Sequence, residues 1–319
     1  MENALTSRCH ESEHDLRQMQ DLLMAARAAT TDAPGMTRYP HIGVATFRFF
    51  MVACHLNPYE HVRLWHDRQG HLVAYALLGE DPAFDCEVAP EYEGARLEAE
   101  ALDWAETLLD ALRNGALRRR NPGQWGGPLV TGVRQNDTAR IAFLEGHGFR
   151  YRGEFTEVNM LRELAEPIPP TALPPGCQVR PLADDAAEIA DRMAAYREVW
   201  LPWTDGNISD EDYARFMQLP CYNRELDIVT IAPGGNVAAL VTGWADPVNR
   251  IGELDAVSAR PAYRRQGLMR AALLECLRRL QAAGMTHVCV STGETNTPAR
   301  QLYESVGFRI VNRYLDYVK

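Results

Sequence analysis

Gly252-Glu253-Leu254-Asp255-Ala256-Val257-Ser258-Ala259-Arg260-Pro261-Ala262-Tyr263-Arg264-Arg265-Gln266-Gly267-Leu268-Met269-Arg270 is the stretch that decides how this chain folds. Gly252 to Ser258 reads as a strand. A basic turn with one glycine follows. Leu268 to Ala283 then reads as a helix, with Leu268, Ala271, Ala272, Leu274 and Leu277 on one side and Gly284 as its stop. A helix start exposes unpaired amides at the positive end of its dipole. Arg264, Arg265 and Arg270 add charge, and Gly267 lets the backbone approach a ligand closely. Together these suit a polyanion such as a pyrophosphate. A solvated, arginine-rich helix start accounts for the same residues equally well.

Downstream, His287 to Ser291 reads as a strand, Pro298 to Val306 as a short helix and Arg309 to Tyr317 as a final strand. Upstream, Cys177 to Leu182 is a strand and Asp184 to Val199 a helix. Ser209 caps a helix starting at Asp210, because its hydroxyl accepts orphan amide bonds. Asp227 to Ile231 and Asn236 to Trp244 flank Pro233-Gly234-Gly235 as a hairpin. Further out lies Glu166-Pro167-Ile168-Pro169-Pro170-Thr171-Ala172-Leu173-Pro174-Pro175-Gly176. Its five prolines in eleven residues favour a semi-rigid extended spacer. The expected domains are therefore 1–164, a proline-rich linker at 165–176, and 177–319.

The first half runs in similar order. Glu13 to Ala29, Ile42 to His55, Leu97 to Arg113 and Thr138 to Glu145 read as helices, and Val62 to Trp65, Leu72 to Leu78, Phe84 to Val88 and Leu129 to Val133 as strands. Ala89-Pro90-Glu91-Tyr92 aligns with Arg260-Pro261-Ala262-Tyr263. Asn136-Asp137-Thr138-Ala139-Arg140 aligns with Asn296-Thr297-Pro298-Ala299-Arg300, and Gly148-Phe149 with Gly307-Phe308. The chain reads as a tandem duplication.

Two motifs carry a resemblance to the GNAT superfamily of N-acetyltransferases. The family's turn, Gln/Arg-x-x-Gly-x-Gly/Ala, is met by Arg264-Arg265-Gln266-Gly267-Leu268-Met269, with Met269 departing from the small last residue. Its second signature, Asn-x-x-Ala-x-x-Leu-Tyr-x-x-x-Gly-Phe, is met in full by Asn296, Ala299, Leu302, Tyr303, Gly307 and Phe308. The resemblance covers about 177–319 well and about 40–160 weakly. It implies a mixed α/β fold of two GNAT-like domains, each a twisted mixed sheet flanked by helices with two splayed parallel strands.

The resemblance also implies chemistry. Acetyl-CoA would be the co-substrate, with no metal. Amides from Arg264, Arg265, Gln266, Gly267, Leu268, Met269 and Arg270 would hold its pyrophosphate. Val257 and Ala259 would pair with the pantetheine arm, and Asn296 would bond that arm from the other side, a role compatible with capping the helix at Pro298. An acceptor amine must lose a proton to attack, since a lysine-type amine of pKa about 10.4 is protonated at neutral pH. Glu253 is the favoured base, with Asp255, on the same strand face by alternation, as its substitute. The Val257 amide would stabilise the oxyanion, a contribution of roughly 3 kcal/mol. Tyr303, protonated as a phenol of pKa about 10, would donate to the departing thiolate. Trp200, Trp203 and Asp205, ahead of the second helix, suit a cationic acceptor, although core packing explains the tryptophans as well.

The first copy departs where chemistry would matter. Glu93 to Glu98 replace Arg264 to Met269, Arg96 stands for the glycine, and Phe143 replaces Tyr303. That half is expected not to catalyse and to bind CoA poorly.

Composition bounds the rest. Of 319 residues 46% are apolar, so a two-domain globular chain is expected. With 33 basic and 43 acidic residues, a net charge of −10 disfavours nucleic-acid binding. Seven scattered cysteines, never C-x-x-C, read as free thiols of a reducing cytoplasm. No apolar run reaches 18 residues and the N-terminus lacks a signal-peptide pattern, so neither a membrane span nor export is expected. The expected activity is acetyl transfer from acetyl-CoA to the amine of a small molecule, by direct attack in a ternary complex. A mycothiol-synthase-like sugar-amine acetyltransferase shares the two-domain layout. A non-catalytic acyl-CoA-binding module is the reading from another class. The acceptor and the oligomeric state are not legible in the sequence.

Overall fold

A computed structural model describes residues 5–30, 37–79, 81–115, 125–200 and 208–319. The chain divides into two compact units, residues 1–157 with 312–319, and residues 158–311. Among the described residues no helix is long and apolar enough to cross a membrane.

The first unit opens with β1 (Thr6–Cys9) and α1 (Glu13–Ala29), followed by α2 (Ile42–His55), α3 (Pro58–His61), β2 (Val62–His66), β3 (Leu72–Leu78), β4 (Phe84–Val88), α4 (Ala95–Arg113), β5 (Val130–Arg134), α5 (Thr138–Gly146) and the long β6 (Arg150–Glu163). β1 to β4 form an antiparallel sheet in sequence order. The apolar stripe of α4, including Leu97, Ala101, Leu102, Ala105 and Leu109, packs with Phe84, Cys86 and Val88 of β4. Each leucine so buried contributes about 1.5–3 kcal/mol. β4 and β5 meet in a single parallel bridge, Ala83↔Val130, and then part.

The second unit follows with β7 (Gln178–Pro181), α6 (Ala186–Trp200), α7 (Asp210–Phe216), β8 (Asp227–Ile231), β9 (Val237–Asp246), β10 (Ile251–Ala259), α8 (Leu268–Ala282), β11 (His287–Gly293), α9 (Thr297–Glu304) and β12 (Arg309–Val318). β7, β8, β9 and β10 are antiparallel neighbours, and β11 runs parallel to β10. α8 lies very close to this sheet. A Cβ on Gly243 would meet Cys276 Sγ at 2.6 Å, and one on Gly252 would meet Leu280 Cδ1 at 2.9 Å. Glycine at both positions lets Leu273, Leu277 and Leu280 seat against the strands.

Most element readings from sequence match, and α1, α2 and β4 keep the bounds expected. Two strands were not anticipated, β1 and β6. The expected domain boundary also differs from the observed division, which falls inside β6 at 157/158. The proline-rich stretch packs within the second unit instead of spanning a gap. Arg278 donates to Thr171 Oγ1 at 2.6 Å and to the Pro169 carbonyl at 2.8 Å, and Gln281 donates to the Leu164 carbonyl at 2.6 Å. Proline breaks secondary structure, but its carbonyl still accepts hydrogen bonds and its ring still packs. The final strand is shared: residues 312–319 belong to the first unit, where Tyr314 to Val318 pair antiparallel with β5.

Candidate active site

The site is built around the point where β10 and β11 separate. Their parallel pairing covers only Ile251↔His287, Gly252↔Val288 and Glu253↔Cys289. On its other edge β10 carries a bulge. Asp255 faces Thr242 but Ser258 faces Leu240, so one extra residue is inserted. Ala256 absorbs it with φ 53°, an uncommon conformation for a residue with a side chain. Val257 therefore stands beyond the last β11 pair and outside the β9 register, which is where the sequence placed an amide for an incoming group.

Alternation along β10 sets which side chains face which helix. Gly252 and Leu254 look toward α8. Glu253, 4% exposed, lies on the opposite face at the throat of the splay. Asp255, two residues on, is half-buried, and its Oδ1 accepts the Ala256 amide at 2.7 Å. Tyr303 of α9 is buried and meets Phe308 edge-on, with ring centroids 5.9 Å apart. Burial, and after it the Asp255 carboxylate, raises the Tyr303 phenol well above its ordinary value. The Tyr196 phenol of α6 is raised by the same two causes in the same order. Asp255 is thus the carboxylate electrostatically coupled to both tyrosines. The sequence favoured Glu253 and gave no signal for Tyr196.

The basic turn is held open. Arg260 is tied to α6 through Asp191 at 2.7 Å and Glu198 at 3.3 Å. Arg265 adopts φ 64° and Gly267 φ 78°, and Gly267 is the N-cap of α8 without any side-chain cap. Nothing lies within 4 Å of where a Gly267 Cβ would be. The opening amides of α8, from Leu268, Met269 and Arg270, are left for an outside acceptor. Arg264, Arg265, Gln266 and Gly267 are exposed, and Arg270 is half-buried. Arg264 Nε donates to the Ala259 carbonyl at 3.1 Å, so one group expected to face the pantetheine arm is occupied by an exposed side chain. Asn296 caps α9, accepting the Ala299 amide at 3.4 Å and donating to Thr292 Oγ1 at 3.2 Å.

Trp200, at the end of α6, donates to Ser258 Oγ at 2.6 Å and stacks on Tyr196 with centroids 6.0 Å apart. Trp203 and Asp205 lie outside the described residues. Sequence reasoning also missed Ser258, which the tryptophan reaches across 58 positions of chain. No group of three or more His, Cys, Asp or Glu suited to a metal occurs among the described residues.

The corresponding turn of the first unit is filled from within. Glu98, in the first turn of α4, is 8% exposed and lies 3.0 Å from both Arg38 and Arg140. Phe143 at the Tyr303 position packs against His147, with centroids 4.2 Å apart.

Residues 192–308 match the Acetyltransferase (GNAT) family. The mycothiol acetyltransferase of Acidothermus cellulolyticus is 28% identical over 270 residues, 77% of this chain and 76% of its own. That of Thermobispora bispora is 31% identical over 160 residues, 47% of this chain and 52% of its own. In fold, the chain is similar to a GCN5-related N-acetyltransferase from Sphaerobacter thermophilus (TM-score 0.64, 20% identity, 99% of this chain and 95% of that one). It is also similar to a tandem GNAT protein from the clavulanic acid biosynthesis pathway (TM-score 0.63, 13% identity, 99% and 98% covered).

Proposed function

Taking as premise that this chain is an acyltransferase of the GNAT family, built as a tandem of two GNAT-like units, we propose that its second unit moves acetyl from acetyl-CoA to the amine of a small molecule by direct attack in a ternary complex. One observation carries this reading. The splay after Glu253, the bulge at Ala256 and the uncapped start of α8 behind Gly267 meet in one unit. Acetyl-CoA fits the groups present, since a pyrophosphate needs clustered N–H donors with positive charge and the turn supplies both.

In this reading the α8 amides and Arg264, Arg265 and Arg270 bind the pyrophosphate. Val257 and Ala259 align the pantetheine arm, with Arg264 moving off the Ala259 carbonyl, and Asn296 bonds it from α9. The Val257 amide faces the developing oxyanion. Glu253 takes the acceptor's proton through water, because burial at the throat keeps it from the amine directly. Asp255 holds the cationic amine beside Tyr196 and Trp200. The same carboxylate keeps the Tyr303 phenol protonated until the thiolate leaves and takes its proton. Trp203 and Asp205 remain proposed acceptor contacts. The first unit, with Glu98 filling its turn and Phe143 without a hydroxyl, does not catalyse and binds CoA poorly.

A second reading is favoured by the extent of one match. The Acidothermus cellulolyticus relative aligns over 270 residues, so the likeness takes in both repeats. It points to a sugar amine as acceptor. Turnover of acetyl-CoA by the full chain against amino sugars, polyamines and peptide N-termini tests both. Preference for amino sugars supports the second reading. Tight CoA binding with no turnover on any amine overturns catalysis in favour of a binding module.

A further inference from the structure

The bulge in β10 reverses the faces of the residues that follow it. Before it, Gly252 and Leu254 look toward α8. Strict alternation would turn Ala256 toward α8 and Val257 away from it. With one residue inserted, Val257 packs instead against the core under α8, and Ala259 follows it beside Leu268. Ser258 and Arg260 turn to α6. Val257, whose amide faces the oxyanion in the reading above, therefore has an apolar anchor on one face of the sheet and polar anchors beside it on the other.

The polar anchors come from a single helix. Trp200 Nε1, at the end of α6, donates to Ser258 Oγ at 2.6 Å. Arg260 donates to Asp191 Oδ1 at 2.7 Å and to the Asp191 carbonyl at 3.1 Å. Ser258 is 3% exposed, so bulk water does not compete for its hydroxyl. On the other side of Val257, Ala256 holds φ 53°, and the Asp255 carboxylate accepts its amide at 2.7 Å. A residue with a side chain keeps that conformation only where its surroundings hold it there. The indole is rigid, with two side-chain torsions, so its N–H fixes Ser258 more narrowly than a long flexible donor would.

We infer that Trp200 is a positioning residue: through the Ser258 hydroxyl it keeps the bulged segment of β10 in the arrangement that aims the Val257 amide into the splay. The inference rests on the acetyl-transfer reading and gives Trp200 a task apart from any contact of its ring with the acceptor. Without that bond Ala256 relaxes toward the ordinary extended region. The peptide that carries the Val257 amide turns with it, away from the reacting carbonyl. The amides that open α8 lie beyond Arg260, which keeps its own ties to α6, so the pyrophosphate contacts stay in place.

Steady-state kinetics on the full chain with Trp200→Phe, Ser258→Ala and the double variant test this, beside calorimetry with CoA, which carries no acetyl carbonyl. Each single variant should lose about tenfold or more in kcat. CoA affinity should stay within about threefold of wild type. Both substitutions remove the same bond, so the double variant should fall no more than about twofold below the slower single. Ser258→Ala deletes one oxygen atom and carries the test if Trp200→Phe folds poorly. Four results overturn the inference and leave acetyl transfer standing: wild-type kcat in Ser258→Ala, losses that multiply in the double variant, CoA affinity falling as far as kcat, or a raised acceptor KM in Trp200→Phe with Ser258→Ala unaffected. A wild-type chain with no turnover on any amine removes the acetyl-transfer reading and this inference with it.

Discussion

At the scale of single residues, the structure separates roles that alternation alone left together. Glu253 and Asp255 share a strand face, yet the first is sealed at the throat and the second lies half-buried in the field of Tyr196 and Tyr303. Tyr303→Phe keeps the edge-on packing with Phe308 and removes only the proton donor. Its kcat for acetyl transfer should fall about 10²-fold or more with little change in the KM for acetyl-CoA. A steady-state comparison of the two parameters checks this, and an unchanged kcat would remove Tyr303 from the chemistry. Glu87 yields a stability prediction with a definite sign. Its carboxyl titrates at about 7 in the fold against an ordinary value of 4.5. The fold therefore binds the proton more tightly than the unfolded chain, and this contribution is present below about pH 4.5 and lost as pH rises through 7. Glu87→Gln removes the loss. The variant should gain up to about 3 kcal/mol over wild type in urea melts at neutral pH, and less toward pH 5.

At the scale of elements, the turn before α8 and the anchoring of α6 matter most. Gly267 sits at φ 78° with open space around it. Gly267→Ala meets no clash but pays left-handed strain of about 1–2 kcal/mol and sets a methyl group against the phosphates. A raised KM for acetyl-CoA with kcat largely kept is the expected result, read from the same kinetics. α6 and α7 are fastened to β8 and β9 by a buried network. Arg192 (2% exposed) contacts Asp227 (0% exposed) at 3.3 Å and Thr242 Oγ1 at 2.8 Å. Tyr213 and Tyr222 both donate to Asp227 Oδ2. Asp227→Ala strands a buried guanidinium and two hydroxyls. We expect it to lower stability by about 3–5 kcal/mol in chemical denaturation, whereas a surface carboxylate such as Asp210, paired with Arg197 on the rim, should cost under about 1 kcal/mol.

At the scale of the whole molecule, each unit draws on a strand from the other end of the chain. Residues 158–163 belong to the second unit and 312–319 to the first. A cut at the prolines is therefore a cut through both cores. Residues 177–319 expressed alone lack the inner part of β6, including the buried Val158 and Met160, and carry a final strand without β5. That fragment should lack a cooperative thermal transition, whereas the full chain should show one. A fragment that melts cooperatively and binds CoA would refute the strand exchange.

The sequence by itself determined the repeat, the element order and the glycine-bearing basic turn before α8. These rest on local signals: the helical spacing of Leu268 to Leu277, the Ser209 cap, the glycine at 267 and the intact run from Asn296 to Phe308. β6 escaped because Arg150 to Glu163 mixes charged and apolar residues in no clean alternation, a pattern that fits a strand whose two parts lie in different cores. The proline-rich stretch misled because a break in secondary structure is a local property and a domain boundary is not. Tyr196, Ser258, the Glu98 ion pairs and the burial of Glu87 depend on contacts between residues far apart in the chain. Only the tertiary structure decided them, since burial and the electric field at a side chain are set by whichever distant elements pack around it.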